Sequence, residues 1–147
     1  MSPNITPKQA FEYLSNSIEY TYLDVRTVQE FAAGHPTAAK NVPLLELDSG
    51  AGRWVPNEGF LAVVEANFSK DRKLIVGCKS GGRSANACLI LASAGYKNLW
   101  NVDGGFVGRH DPAGNWIQPG WAMSGFPVER EAKEGSNYEV LANKVGA

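Results

Sequence analysis

A short apolar run that passes directly into a glycine-rich loop constrains the fold of this chain more than any other feature. The run lies within residues 73–78, the loop follows from Cys78, and helical spacing resumes at Ser84. A short apolar segment of this kind is typical of a strand that is buried on both faces. A buried strand that leads at once into a helix is typical of a parallel sheet covered by helices. This segment therefore predicts an α/β fold.

The rest of the chain also alternates between helical and extended patterns. Helices are predicted over residues 7–16, 27–31, 58–68 and 84–94, and strands over 20–25, 41–43, 73–78 and 99–102. The clearest helix start is the run from Thr6 to Gln9, which has the capping-box arrangement with Pro7 at the first helical position. Residues 48–59 and 110–125 are rich in glycine and proline, so we expect loops there.

Length and charge narrow the class of protein. The 147 residues suit one domain, and an aromatic fraction of 10% excludes a disordered chain. A net charge of −1 excludes a global positive field for nucleic acid or an anionic membrane, so any anion site must be local. The longest apolar stretch, residues 87–92, is far shorter than the roughly 20 residues of a membrane helix. With no targeting segment visible, we predict a cytoplasmic protein, or an organellar one if a transit peptide has been removed.

The two cysteines, Cys78 and Cys88, are too few for a disulfide scaffold, so a reducing compartment is expected. Cys88 falls on the expected apolar face of the helix over 84–94, together with Ala85, Leu89 and Ala92. We interpret Cys88 as a core residue rather than a resolving thiol.

Cys78 stands at the carboxyl end of its strand, where ligands bind in open α/β sheets. Gly81 and Gly82 allow the loop to curl so that several backbone N–H groups converge on one point. The helix N-terminus adds positive potential there, and so do the cations of Lys79 and Arg83. Because such surroundings stabilise a thiolate, we predict that Cys78 is a nucleophile beside a small anion site. The simpler alternative is a small core residue.

The run from Cys78 to Ser84 resembles the active-site loop of the rhodanese (sulfurtransferase) family. Four further landmarks occur in the family's order, and the resemblance extends over about residues 5–130. These landmarks are Asp24-Val25-Arg26, the stretch from Glu30 to Pro43, Asp103-Gly104-Gly105 and Gly125-Phe126-Pro127-Val128.

The resemblance implies a three-layer rhodanese-like fold, with a mainly parallel five-stranded central sheet and helices on both faces. It implies a single rhodanese-like domain over residues 1–130. A polar tail follows over residues 131–147, and its residues 138–144 are compatible with a helix.

The resemblance also implies a sulfurtransferase. Cys78 would take a sulfane sulfur from an anionic donor such as thiosulfate, hold it as a persulfide and pass it to cyanide, a small thiol or a protein thiol. The residues implied in donor binding are Lys79, Ser80, Gly81, Gly82, Arg83 and Ser84. Arg83 is suited to hold an oxyanion through two hydrogen bonds. Neither a metal nor an organic cofactor is implied, and neither nucleic acid nor a membrane is expected as a partner.

Two other functions stay open. One is a rhodanese-like module that binds a partner or carries a persulfide without turnover; the presence of Cys78 favours catalysis over this alternative. The other is a phosphatase or arsenate reductase. The related dual-specificity phosphatases place five residues between cysteine and arginine, whereas four, residues 79–82, intervene here. The smaller ring suits a sulfur atom better than a phosphoryl group.

Several residues outside the loop have two interpretations each. Asp24 and Arg26 follow a predicted strand at the same sheet edge as Cys78. They either order the loop and bind donor or form an ion pair without a chemical role, and we favour the second. His35 is expected to make a structural hydrogen bond. Three tryptophans either line the pocket or cover the core edges, namely Trp54, Trp116 and Trp121.

Overall fold

The computed structural model describes residues 2–48, 50, 52–131 and 135–145. Its helices are α1 (Pro7–Asn16), α2 (Val28–Ala33), α3 (Phe60–Asn67), α4 (Gly82–Ser93) and α5 (Tyr138–Ala142). Its strands are β1 (Asn4–Ile5), β2 (Tyr20–Asp24), β3 (His35–Pro36), β4 (Lys40–Asn41), β5 (Leu45–Asp48), β6 (Arg53–Pro56), β7 (Lys73–Gly77), β8 (Leu99–Val102), β9 (Gly108–His110), β10 (Trp116–Pro119) and β11 (Val128–Glu129).

Five of these strands form the central sheet, in the order β1-β8-β7-β2-β4. Every neighbouring pair in this sheet is parallel, which confirms the predicted α/β class. In the register of β2 with β7, Asp24 lies opposite Gly77. The chain segments that follow these two strands therefore begin side by side at the same edge.

Alternate side chains of the sheet face two separate cores. Leu74 and Val76 pack with residues of α3, α4 and α5, whereas Ile75 packs with residues of α1 and α2. This two-residue period is the geometry of an extended strand. Because both faces are covered by helices, the three-layer arrangement is confirmed.

Two helices begin with capping boxes, in which the first and fourth residues satisfy each other's free N–H groups. At α1 the backbone N–H of Gln9 donates to Thr6 Oγ1 at 3.2 Å, and Gln9 Oε1 accepts from the Thr6 N–H at 2.9 Å. The prediction for α1 is therefore confirmed. At α2 the same reciprocal pair joins Thr27 and Glu30.

The structure corrects several elements of the sequence prediction. Each of the two predicted loops overlaps an antiparallel hairpin, β5–β6 or β9–β10, that lies outside the central sheet and begins a few residues before the loop. These strands are short and lie next to glycine and proline residues, so the sequence pattern did not indicate that they are extended. Of the strand predicted over 41–43 only Asn41 lies in a strand, β4 (Lys40–Asn41), and β1, which was not predicted, completes the sheet by pairing with β8.

The buried face of α4 also differs from the prediction. Its buried residues are Ser84, Ala87, Cys88 and Leu91. Leu89, which was expected inside, is 54% exposed. The buried set follows helical spacing from Ser84, and it includes Leu91 in place of Leu89.

The polar tail contributes to the core. Leu141 in helix α5 of this tail is only 3% exposed. The side-chain amide of Asn67 in α3 donates a hydrogen bond to the Leu141 carbonyl at 2.8 Å. Residues 132–134, 146 and 147 of the predicted tail lie outside the described residues. Within the described part of the chain, no helix has the length and apolar character needed to span a membrane.

Candidate active site

The chain turns sharply between β7 and α4, and Cys78 is the first residue after the strand. Gly81 is the N-cap of α4 and has a φ of 124°, in the region that favours glycine. Only two residues, Lys79 and Ser80, therefore separate the cysteine from the N-cap of the helix. The positive end of α4 is thus directed at the cysteine.

The thiol of Cys78 is enclosed by this loop. The residue is 2% exposed. Its Sγ accepts a hydrogen bond from the Gly81 N–H at 3.1 Å and lies 3.3 Å from Ser84 Oγ. Both neighbours can donate a hydrogen to a sulfur that carries negative charge, so the loop is arranged around the thiolate or a negatively charged group attached to it.

The carbonyl groups of the loop are held on its other side by the turn after β8. The carbonyl of Cys78 accepts from the Phe106 N–H at 2.8 Å and that of Lys79 from the Val107 N–H at 2.9 Å. The carbonyl of Ser80 accepts from the Gly104 N–H at 3.1 Å. Because C=O and N–H point in opposite directions in a trans peptide, the N–H groups of residues 79–81 are directed away from this turn, and that of Gly81 donates to Cys78 Sγ.

Gly105 allows this close approach of the two segments. A Cβ atom built on it would lie 2.3 Å from the carbonyl oxygen of Cys78 and 2.8 Å from the carbonyl carbon of Lys79. Only glycine fits without displacing the loop backbone. The Asp-Gly-Gly motif of the sequence therefore holds the active-site loop in place.

A buried polar network continues from Ser84 to the edge of the sheet. The Ser84 hydroxyl lies within 2.5 Å of Asn101 Oδ1 in β8, and the Asn101 amide donates to Asn4 Oδ1 in β1 at 2.9 Å. A hydroxyl has one hydrogen to donate, so Asn101 Oδ1, the Gly81 carbonyl and Cys78 Sγ compete for it. Sequence reasoning missed Asn101 and Asn4; an asparagine inside the apolar run of β8 was the available signal.

Arg83 lies beside the loop but is engaged by another side chain. Its Nη1 and Nη2 donate to the two carboxylate oxygens of Glu30 at 2.6 and 2.9 Å. Its Cζ lies 5.3 Å from the centre of the Trp54 ring. The hydrogen bond that Arg83 donates to Glu30 raises the pKa of Arg83. The predicted role of Arg83 in donor binding thus stays a prediction, because the structure pairs its guanidinium internally.

Lys79 is exposed at the outer surface of the loop. It forms no ion pair with any residue that the structure describes. Ser80 is also exposed, on the same side of the turn. The structure thus brings all six predicted donor-binding residues together around Cys78, with Lys79 as the unpaired cation.

Asp24 and Arg26 form a closed, buried ion pair at the end of β2. Their side chains are 1% and 4% exposed, and the guanidinium makes contacts of 2.7 to 3.1 Å with the carboxylate. Burial alone lowers the pKa of Arg26, but its pairing with Asp24 outweighs burial and raises it. Arg26 also donates to the Gly34 carbonyl at 2.7 Å and packs on the Phe106 ring. These contacts support a structural role.

The other candidate residues, Cys88, His35 and the tryptophans, differ in how deeply they are buried. Cys88 is 2% exposed and lies in the core, and burial raises the pKa of its thiol to about 11. His35 Nδ1 lies 2.7 Å from the Phe31 carbonyl, as expected for a structural hydrogen bond. Trp121 is buried in the core, whereas Trp54 is half exposed and lies against Arg83.

Comparison with known proteins agrees with this geometry. The family described as Rhodanese-like domain matches residues 7–110. "Thiosulfate sulfurtransferase 18" from Arabidopsis thaliana is 39% identical over 119 residues, which are 80% of this chain and 77% of that protein. "Thiosulfate sulfurtransferase 16, chloroplastic", from the same plant, is 36% identical over 75% of this chain and 80% of its own length. The crystal structure of Rv0390 from M. tuberculosis covers 88% of this chain and 98% of its own, with a TM-score of 0.72 and 29% identity.

Proposed function

This chain belongs to the rhodanese-like domain family, and from that premise we propose that it is a sulfurtransferase working through a persulfide on Cys78. The donor is a sulfane-sulfur anion such as thiosulfate. The acceptor is thiophilic: cyanide, a small thiol or a protein thiol. Two of the relatives carry the name thiosulfate sulfurtransferase, which supports this class of reaction.

One observation carries the proposal: the Gly81 N–H at the start of α4 donates to the Cys78 sulfur, and the carbonyl groups of the loop are turned away. The carbonyls of residues 78–80 are held away by residues 104–107. Donors fixed in advance around a developing negative charge are the most effective form of electrostatic stabilisation. A buried core cysteine needs no such arrangement.

The chemistry follows in two displacements. In the first, the Cys78 thiolate attacks the outer sulfur of thiosulfate, a new S–S bond forms, and sulfite leaves with the electron pair of the old one. The terminal sulfur of the persulfide then carries the negative charge, close to the N–H groups of the loop. In the second, the acceptor attacks this terminal sulfur, and the Cys78 thiolate is regenerated.

Intact-mass measurement after incubation with thiosulfate tests the proposal. The wild-type protein should gain one sulfur atom and lose it again on addition of cyanide. Cys78→Ser should gain none, whereas Cys88→Ser, the matched control at the other cysteine, should behave as wild type. No gain with any sulfane donor would exclude the proposal. A gain that no acceptor removes would indicate the persulfide-carrying module, and release of phosphate or consumption of arsenate without any gain would indicate the phosphatase or reductase alternative.

The location of the protein and the end of its domain are also proposals. The sequence favours the cytoplasm, whereas several relatives are named as chloroplastic and another as mitochondrial. Imaging the natural protein with a fluorescent tag distinguishes these compartments. The domain end at residue 130 is tested by removing the tail, and the burial of Leu141 predicts that removal lowers stability.

A further inference from the structure

The pairing of Arg83 with Glu30 changes the charge that a sulfur donor meets. Two parallel hydrogen bonds of 2.6 and 2.9 Å join the guanidinium to the carboxylate. The side chains are 17% and 26% exposed, so the pair is largely shielded from solvent. A cation bound in this way has its charge neutralised by the carboxylate.

Glu30 is also held in this position by Thr27, at the start of its own helix. It is the fourth residue of the capping box of α2, and its Oε1 accepts from the Thr27 N–H and hydroxyl, both at 3.1 Å. Burial alone raises the pKa of Glu30, but the hydrogen bonds from Arg83 and Thr27 outweigh it and hold the pKa at about 2. The carboxylate is therefore charged at any physiological pH and fixed by two elements.

An aromatic ring also lies near the Arg83 guanidinium. The Trp54 ring, from the β5–β6 hairpin, lies 5.3 Å from the guanidinium carbon. The Nη1 and Nη2 edge with which Arg83 could bind an anion through two hydrogen bonds is thus occupied by the carboxylate. Among the described residues, the charged groups near the loop are then three ion pairs and the unpaired cation of Lys79; the pairs are Arg83–Glu30, Arg109–Asp103 and the buried Arg26–Asp24.

We propose that Glu30 determines donor specificity: by neutralising Arg83, it makes the site favour sulfane donors with one negative charge, such as organic thiosulfonates and persulfides, over the dianion thiosulfate. The inference rests on the proposed function, because it concerns the donor to the same Cys78. With a thiosulfonate, the Cys78 thiolate attacks the outer sulfur, the S–S bond forms, and an organic sulfinate leaves with the electron pair of the broken S–S bond. Both donors therefore react in the same way and differ by one unit of charge.

Glu30→Gln is the variant that tests this inference. Glutamine removes the charge but is itself accepted at the fourth position of a capping box, so the start of α2 is preserved. The measurement is kcat/KM for methanethiosulfonate and for thiosulfate, with cyanide as acceptor. The ratio of the two values cancels effects on the shared steps. We expect it to move about five- to tenfold in favour of thiosulfate, since one uncompensated charge near the donor acts more strongly on a dianion.

Glu19→Gln is the matched control. It also removes one carboxylate from an ion pair, with Lys73, but at the opposite edge of the sheet and on an exposed side chain. The ratio should stay at the wild-type value. In the double variant Glu30→Gln with Arg83→Gln the charge balance of wild type is restored, so the ratio should return toward wild type. This variant keeps the test decisive if the single variant does not fold.

Three outcomes separate the possibilities. An equal change for both donors, or none, in Glu30→Gln overturns the inference while leaving the proposed function intact. A shifted ratio in the charge-balanced double variant overturns it too. Absence of turnover with both donors in wild type, with no mass gain on Cys78, is instead a failure of the proposed function.

Discussion

Removing the charge of Asp24 provides the sharpest test of how the candidate site is supported. In Asp24→Asn the Arg26 guanidinium keeps its burial, with a side-chain exposure of 4%, but loses its counter-ion. Breaking a buried ion pair by removing one partner costs about 3–5 kcal/mol. Asparagine keeps one carbonyl oxygen for hydrogen bonding, and Arg26 keeps its carbonyl contact and the Phe106 ring. We therefore expect the lower end, about 3 kcal/mol in the free energy of unfolding.

Urea denaturation followed by tryptophan fluorescence measures this loss. Lys73→Met is the control, because it breaks the exposed pair with Glu19, and exposed pairs contribute roughly 0–1 kcal/mol. The folded fraction of Asp24→Asn should keep its kcat/KM for thiosulfate within about threefold, roughly 0.7 kcal/mol in activation free energy.

The opposite pattern would refute the reasoning. A loss of less than about 1 kcal/mol in stability, together with a large fall in kcat/KM, would place Asp24 in donor binding. The ion pair between Asp24 and Arg26 would then have a chemical role and not only a structural one.

Further predictions concern the loop and its neighbours. Ser84→Ala removes one hydrogen-bond donor to the Cys78 sulfur, and hydrogen bonds to charged groups contribute about 1.5–3 kcal/mol. The rate at which iodoacetamide alkylates Cys78 at pH 6 should therefore fall at least about tenfold. An unchanged rate would show that Ser84 does not stabilise the thiolate. Gly105→Ala forces a Cβ to 2.3 Å from the Cys78 carbonyl, so thermal denaturation should show a lower Tm and intact mass should show little persulfide; a normal mass gain would contradict this. Burial holds the Cys88 thiol at a pKa of about 11, so peptide mapping after iodoacetamide at pH 7 should find Cys78 modified and Cys88 unmodified until the protein is unfolded; equal labelling would contradict it. The pKa of Glu30 is depressed from 4.5 to about 2, so the stability that its charge contributes is complete above pH 4.5 and is lost as the pH falls through 2. Over this range the difference in unfolding free energy between wild type and Glu30→Gln, measured by urea titration, should shrink. A difference that stays constant would contradict this prediction.

The local features of the chain were predictable from sequence because neighbouring residues determine them. Thr6 and Gln9 lie three positions apart, so the capping box of α1 and the exact bounds of this helix were visible in the sequence. The apolar run before Cys78 similarly indicated a buried parallel strand, and β7 is the central strand of the sheet. The position of Cys78 at the helix start followed from the same segment.

Contacts between distant positions were not predictable in the same way. Glu30 and Arg83 are 53 positions apart, and Asn4 and Asn101 are 97 apart. These pairs depend on which strands become neighbours and on how each helix rotates on the sheet. The rotation of α4 shows the difficulty: hydrophobicity placed Leu89 inside, but packing placed Ser84 there.

The way in which residues 104–107 hold the carbonyls of residues 78–80 has a consequence for how such a site can diversify. The anion cradle that we propose is made by the main chain, while the side chains of Lys79 and Ser80 are exposed to solvent. We therefore expect substitutions at these two positions to alter donor recognition and to leave the main-chain N–H groups in place. A library randomised at both positions should therefore yield many persulfide-forming proteins with altered donor preferences, whereas randomising Gly105 should yield few.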